Sequence, residues 1–134
     1  MAKESGLGMA VSVDDAGGTL QDISNDVTNF EFGTPRAVQD VTGVDKSAIE
    51  RLLLLSDFTI EMNGAFNPST DQSHDVFKTV PSSASQRTVT IVISGQTFSH
   101  DCIFTDYSWE RSEDGGLAWT APGQLANGTA PVWT

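Results

Sequence analysis

Hydrophobic and polar residues alternate with a period of two along residues 58–66. The apolar parity consists of Phe58, Ile60, Met62 and Phe66. The polar parity consists of Thr59, Glu61, Asn63 and Ala65. Successive side chains of a β-strand point to opposite faces, so this segment predicts a strand with one apolar and one wet face. The apolar face is expected to pack in a core, and the wet face needs a separate explanation.

Similar short segments recur along the chain, separated by turn sequences rich in Gly, Asp and Pro. The predicted strands are 8–13, 19–24, 26–32, 37–44, 87–94, 97–110, 117–125 and 130–133. A hairpin turn is expected at Gly95-Gln96. On the strand before it, Val89, Ile91 and Ile93 form the apolar face. The pattern predicts a mainly β fold, either a sandwich or a small barrel, in a single domain spanning 1–134.

Two segments depart from the β pattern. Residues 69–80 predict a short helix, with Ser69 as N-cap, Gln72 completing a capping box and Pro81 ending the helix. Val76 and Phe77 would then dock on the sheet. Residues 46–54 also contain a capping-box spacing and favour a second short helix by local rules. The four consecutive leucines at 52–55 also fit an extended segment that later becomes buried, so both conformations stay open.

The chain is strongly acidic, with 18 acidic residues against seven basic ones and a formal net charge of −11. Its cations are scattered singly. A protein that binds the phosphate backbone of a nucleic acid needs clustered Lys and Arg residues, so nucleic-acid binding is not expected. No apolar run is long enough for a membrane span, and the first residues lack a secretory pattern. These features predict a protein without membrane contact that is made and kept in a cytoplasm, or released only when a cell breaks. A single cysteine excludes an internal disulfide.

No catalytic or metal-binding motif is present. His100 and Cys102 share one parity on a predicted strand, but nothing around them resembles a nucleophile elbow or an oxyanion site. Two histidines and one cysteine without ligand spacing do not indicate zinc. We therefore expect no cofactor and no enzymatic activity.

Three tryptophans leave open a carbohydrate- or protein-binding β-sandwich as an alternative function. Trp109 and Trp119 have the alternation of inward-facing strand residues, so packing is the favoured interpretation. Trp133 is harder to bury within one subunit. The predicted core residues are Phe58, Ile60, Met62, Phe66, Val76, Phe77, Val89, Ile91, Ile93 and Trp119.

Three stretches of the sequence resemble the tail tube proteins of long-tailed bacteriophages. They are AVQDVTGVDKSAIERLLLLSDFTIEMNGAFNP (37–68), HDVFKTVPSS (74–83) and GGLAWTAPGQLANGTAPVWT (115–134). The resemblance implies a β-sandwich with a flanking helix that self-assembles into stacked hexameric rings. The rings would enclose a channel that passes a tape measure protein and then double-stranded DNA as unbound cargo. The resemblance also implies contacts with tail terminator and tail tip or baseplate proteins, and a location in the virion after assembly in the host cytoplasm. The inner tube of a contractile tail or secretion system stays open as a variant.

The same resemblance suggests roles for particular residues. A channel that lets DNA slide should be polar and negative, and the lumen candidates are Thr59, Glu61, Asn63, Ala65, Thr88, Thr90 and Ser94. An ordinary exposed strand face is the alternative. Residues 40–57 are expected to form an inter-strand loop that packs on a neighbouring subunit or ring. The alternative is a helix that covers the subunit's own core. Residues 1–8 are expected to be a flexible segment that orders on stacking. The candidate contacts between subunits or rings are Val44, Ile49, Leu52, Leu53, Leu54, Leu55 and Trp133.

Overall fold

The computed structural model describes residues 3–134. Its elements in chain order are β1 Ala10–Asp14, β2 Leu20–Asp22, β3 Val27–Gly33, β4 Arg36–Asp40, β5 Arg51–Ser56, β6 Thr59–Ala65, α1 Ser73–Phe77, β7 Arg87–Ile93, β8 Gln96–Phe104, β9 Ser108–Arg111 and β10 Leu117–Leu125. All strand pairs are antiparallel. The predicted mainly β fold with one short helix is therefore confirmed.

Eight of the strands form one sheet that folds into two layers. The order is β2-β1-β7-β8-β10-β6-β3, with β9 also paired to β10. β10 meets β8 through three residue pairs near its end, and the rest of that edge pairs with β9. The sheet turns a corner there. We call β2, β1, β7 and β8 the β7 layer, and β9, β10, β6 and β3 the β6 layer.

The core lies between the two layers. Phe32 of β3 and Phe98 of β8 are far apart in the strand order, yet their ring centroids are 6.0 Å apart. Eight predicted core residues are buried: Phe58, Ile60, Met62, Val76, Phe77, Val89, Ile91 and Trp119. Ile93 is half-buried against this core. Phe66 differs from the prediction, because it lies half-exposed beyond the end of β6 and packs on Trp109 and His74.

The helix is shorter than the predicted 69–80 and starts later. α1 has five residues, and the side chain of its N-cap residue Gln72 makes no capping hydrogen bond. The backbone N–H of Ser69 donates instead to Asn67 Oδ1 at 3.1 Å, which makes a turn where the helix was expected. The Ser73 N–H donates to Asp26 Oδ2 at 2.9 Å. A carboxylate from a distant part of the chain thus replaces the predicted local capping box.

A buried arginine ties the helix region to the β7 layer. Arg87 at the start of β7 donates to the carbonyl of Val76, to Thr79 Oγ1 at 2.6 Å and to the carbonyl of Asp14 at 3.3 Å. A buried guanidinium is tolerated because its fork of donors finds several acceptors.

Residues 46–54 contain no helix, and residues 51–56 of the predicted loop 40–57 form a strand. β4 and β5 form a separate two-stranded sheet, with Val38 opposite Leu53. The hairpin end is held by Thr42, whose Oγ1 accepts the Glu50 N–H at 2.8 Å. The Val41 N–H also donates to the Glu50 carbonyl at 2.9 Å. These cross-hairpin bonds occupy the backbone groups that a helix would need. Only residues 41–50 connect the strands.

Two strand boundaries also differ from the prediction. The segment 97–110 divides into β8 and β9 around residues 105–107. The hairpin turn falls at Ser94-Gly95, one residue earlier than expected, and both residues have positive φ angles of 48° and 81°. Residues 130–133 contribute an isolated bridge between Trp133 and Phe98.

Candidate assembly surfaces

The polar residues of β6, at alternate positions 59, 61, 63 and 65, face outward from the β6 layer. Cross-strand register extends this face over all four strands of the layer. The face residues are Asn29, Glu31, Thr59, Glu61, Asn63, Ala65, Ser108, Glu110, Ala118, Thr120, Pro122 and Gln124. They include three glutamates and no Lys, Arg or His. The β6 layer therefore presents a polar, negatively charged surface.

Two of these glutamates oppose each other directly. Glu31 of β3 is the cross-strand partner of Glu61 of β6, and Pro122 of β10 lies on the other side of Glu61. Like charges in direct cross-strand positions destabilise a sheet. The pair therefore costs the isolated subunit some stability without any return in its own fold.

The second group of lumen candidates lies on the other layer. Thr88 Oγ1 donates to Asp101 Oδ1 at 2.7 Å, and Thr90 Oγ1 lies 3.1 Å from Ser99 Oγ, all on the outer face of the β7 layer. Ser94 lies in the β7–β8 turn. The outer faces of a two-layer sandwich point in opposite directions. One channel therefore cannot be lined by both groups.

The β4–β5 hairpin is an apolar element that the subunit's own core does not cover. Leu53 is 62% exposed and Leu55 is 87% exposed. Arg36 fixes the strand backbone, since its Nε and Nη2 donate to the Leu54 carbonyl at 3.2 and 2.8 Å. Contiguous exposed apolar surface of this kind marks an interaction site. The exposed large apolar residues of the segment are Val38, Val44, Ile49, Leu52, Leu53, Leu54 and Leu55.

Trp133 lies against the open end of the sandwich. Its ring packs on Phe98 and Phe32 with centroids 5.1 and 6.0 Å apart, and 42% of the residue stays exposed. Thr134 and Thr97 exchange two backbone hydrogen bonds of 2.7 and 2.8 Å. The last residues thus occupy the edge of β8 beyond its short pairing with β10. Residues 3–8 near this end are exposed. The rest of the predicted segment 1–8 lies outside the described residues.

The His100–Cys102 region has the chemistry of a packed strand. Cys102 is buried, and burial together with the Asp101 charge raises the pKa of its thiol to about 12. The thiolate is the reactive form, so this side chain is a poor nucleophile at neutral pH. His100 Nε2 lies 2.6 Å from the Thr129 carbonyl. Within residues 3–134, no three His, Cys, Asp or Glu side chains converge to hold a metal ion. No helix of the described chain is long and apolar enough to cross a membrane.

Sequence reasoning missed how far the polar face of β6 extends over the neighbouring strands. Glu31, Ser108 and Glu110 belong to the wet face because register places β3 and β9 beside β6 and β10. Alternation along a single strand identifies a wet face, but it does not tell which strands share that face. Glu31 does show the alternation expected of an outward-facing strand residue, because it lies between Phe30 and Phe32 in the sequence.

Comparison with known structures shows that this fold occurs in assembled tails. A chain in the structure of the tail of an empty GTA particle, computed with helical refinement and C6 symmetry, matches with a TM-score of 0.81 and 14% identity. The match covers 98% of this chain and 99% of that one. A chain of the native gene transfer agent (GTA) virion matches with a TM-score of 0.77 and 12% identity, over 97% and 99% of the two chains.

A more distant match comes from the 6-fold symmetrised baseplate of the anti-feeding prophage (AFP). Its TM-score is 0.67 at 10% identity, over 100% of this chain and 97% of that one. No protein-family model and no curated protein sequence matches the chain. At these identities the likeness is one of fold, and the fold predicted from the tail tube resemblance is confirmed.

Proposed function

We propose that this protein is a structural subunit of a tail tube, which self-assembles into stacked hexameric rings around a hollow channel. The observation that carries the proposal is the apolar β4–β5 hairpin. It projects from a fold shared over nearly its whole length with a chain of a C6-symmetric tail, and its leucines are left uncovered by the subunit itself. A monomer gains nothing from such a surface, whereas an assembling subunit buries it.

The outer face of the β6 layer lines the channel in this proposal. Double-stranded DNA is a dense polyanion, and a lining with cationic groups would release its counterions and hold it. The β6 face presents Glu31, Glu61 and Glu110 without a cation on the same face. Weak repulsion at each subunit, repeated along a tube, keeps the genome from adhering to the wall. The channel would pass a tape measure protein first and DNA afterwards.

The remaining parts of the proposal follow from that role. The tube would start on tail tip or baseplate proteins, end at a tail terminator, and lie in the virion after assembly in the host cytoplasm. It needs no catalytic group and no cofactor.

Electron microscopy of the purified protein tests the proposal. We expect negatively stained rings or hollow tubes at high concentration, or after addition of purified tail-tip complex as a seed, with light scattering reporting the mass. A protein that stays a compact monomer even with the seed would contradict the tube function. Tryptophan fluorescence that responds to sugars would then support the binding-module alternative.

A further inference from the structure

Asparagine precedes glycine at two places in the chain, Asn63-Gly64 and Asn127-Gly128. In such a dipeptide the side-chain amide can react with the backbone, because glycine has no Cβ atom to crowd the peptide nitrogen that attacks. That nitrogen attacks the side-chain carbonyl carbon and closes a five-membered ring. The two dipeptides have the same intrinsic chemistry, so the fold decides which of them reacts.

Asn127-Gly128 lies in the loop that follows β10, and both residues are exposed. Gly128 has a φ angle of 73°, in the region that favours glycine. Within residues 3–134, its N–H donates to no other group of the protein. The nitrogen that must attack is therefore accessible to hydroxide ion and is not held in a sheet or turn.

The side chain of Asn127 is folded back over the following backbone. Its Oδ1 accepts the Thr129 N–H at 3.0 Å, which forms an Asx turn across Gly128. A donor at the carbonyl oxygen also draws electron density from Cγ. The same N–H stabilises the negative charge that develops on Oδ1 when the nitrogen attacks, as the donors of an oxyanion hole do.

Contacts with β8 hold this turn on both sides. The Ala126 N–H donates to the Asp101 carbonyl at 3.1 Å, and His100 Nε2 lies 2.6 Å from the Thr129 carbonyl. The loop is thus exposed to water and at the same time kept in one folded-back conformation. Both conditions favour ring closure, because the reacting atoms need no search for each other.

Asn63-Gly64 lies in the opposite environment, inside β6. Asn63 pairs with Asn29 on one side and with Thr120 on the other, and Gly64 is buried. In an extended strand, the next peptide nitrogen is turned away from the side-chain carbon. Ring closure at Asn63 would require β6 to separate from both neighbours, and such opening is rare for an inner strand.

We propose that Asn127 is a site of spontaneous deamidation in the folded protein and that Asn63 is protected. The Gly128 nitrogen loses its proton and bonds to Asn127 Cγ, the Cγ–Nδ2 bond breaks, and the amide leaves as ammonia with that proton. Water then opens the cyclic imide. Attack at Cγ gives aspartate, and attack at the main-chain carbonyl carbon gives isoaspartate. This modification does not depend on the proposed tube function.

The two products differ in their effect on the end of the chain. Aspartate leaves the main chain as it was and adds one negative charge. Isoaspartate also inserts a methylene into the main chain between Ala126 and Thr129, the two residues that hold the loop on β8. The longer loop loosens the residues that follow, including Thr134, whose N–H and carbonyl both bond to Thr97.

Peptide mapping by mass spectrometry, over a time course at mildly alkaline pH, tests the site. The folded full chain is compared with the same chain in urea, where both dipeptides react without constraint. We expect Asn127 to convert in the folded protein within roughly tenfold of its rate in urea, and Asn63 to slow by about a hundredfold or more. Equal rates at the two sites in the folded protein, or protection of Asn127 as strong as that of Asn63, would overturn the proposal.

Two variants complete the experiment. Asn127→Gln keeps an amide but would need a slower six-membered ring, so the product should vanish from its peptide, and persistent conversion there would assign the reaction to another residue. Asn127→Asp has the added charge with a normal main chain. We expect the Thr97 amide to exchange its hydrogen faster in the isolated isoaspartyl form than in Asn127→Asp. Equal exchange would overturn the loosening of the chain end.

Discussion

Gly64 shows how closely two segments of backbone approach in this fold. A Cβ atom at this position would lie 1.8 Å from the carbonyl oxygen of Asp26 and 3.2 Å from Trp119 Cζ2. That same carbonyl accepts the Ala65 N–H at 3.2 Å, so the chain entering β3 lies directly against the end of β6. A glycine is required there because backbone, unlike a flexible side chain, cannot move aside.

We therefore expect Gly64→Ala to lower the free energy of unfolding by about 3 kcal/mol or to prevent folding. Gly33→Ala is the matched control, because Gly33 also lies in the β6 layer and a Cβ there would meet nothing within 4 Å. Urea unfolding followed by tryptophan fluorescence measures both variants. Equal stability of the two proteins would show that the approach at Gly64 relaxes freely.

The Glu31–Glu61 pair gives a second residue-scale prediction. Glu61→Lys turns a like-charge cross-strand pair into an opposite-charge pair, so we expect the free energy of unfolding to rise by about 0.5 kcal/mol. The same change places a cation on the proposed channel face, so tails carrying it should form normally and deliver DNA poorly. Chemical denaturation and infectivity measure the two effects.

Glu61→Gln separates the two effects of that change. It removes the repulsion without adding a cation, so we expect added stability and normal infectivity. Unaltered infectivity of tails with Glu61→Lys would contradict the assignment of this face to the channel.

At the residue scale, the sequence predicted the core better than the polar contacts. The alternation along β6 and β7 correctly predicted that four residues are buried, because one apolar face per strand is enough to define a layer. These residues are Ile60, Met62, Val89 and Ile91. It did not reveal the role of Asp26. That carboxylate accepts hydrogen bonds from Asn67 Nδ2 at 2.8 Å and from the Ser73 N–H in the first turn of α1. Both partners are more than 40 residues away from Asp26 in the sequence. Contacts of this range leave no local pattern.

At the scale of elements, the β4–β5 hairpin departs most from local rules. Ser47 and Glu50 have a capping-box spacing, yet the segment forms an extended pair stabilised by Thr42 and by Arg36 on the Leu54 carbonyl. Isolated two-stranded hairpins are marginal in water. The sequence indicated an apolar segment that the subunit's own core leaves exposed, while the conformation of the segment depended on cross-strand bonds.

Replacing Leu53 and Leu54 with Asp tests the hairpin as an assembly element. Both side chains are exposed, so we expect the melting temperature to change by only a few degrees and the circular dichroism to stay that of a β protein. Burying two carboxylates at a subunit contact without partners is costly, so ring stacking should be lost. Leu20→Asp, at an exposed leucine of the β7 layer, is the control and should still assemble. Normal tubes from the double variant would exclude the hairpin as a contact.

At the scale of the whole molecule, the folding of one sheet into two layers lies beyond the sequence pattern. Strand alternation predicted a sandwich or barrel, but the corner between β8 and β10 depends on pairing between Cys102–Phe104 and Gly123–Leu125. That corner determines which polar strand faces point in the same direction. It separates Thr88 and Thr90 from Glu61, so the two groups of predicted channel-lining residues lie on opposite sides of the subunit.

Net charge sets the last prediction. Each subunit carries a formal charge of −11, and the proposed ring would bring several of them together while its hairpins bury apolar groups. Repulsion between subunits therefore opposes assembly at low ionic strength. The Debye length falls from about 30 Å at 0.01 M salt to about 3 Å at 1 M, so we expect the critical concentration for assembly to fall by roughly tenfold or more over this range.

Light scattering at matched ionic strengths of sodium chloride and sodium sulfate measures this dependence. Screening depends on ionic strength alone, whereas sulfate also strengthens apolar burial by exclusion from the surface. Equal critical concentrations in the two salts at low ionic strength, followed by a lower value in sulfate at high ionic strength, would separate the two contributions. Assembly that weakens as chloride rises would show that ion pairs across the contacts, rather than apolar and backbone groups, hold the subunits together.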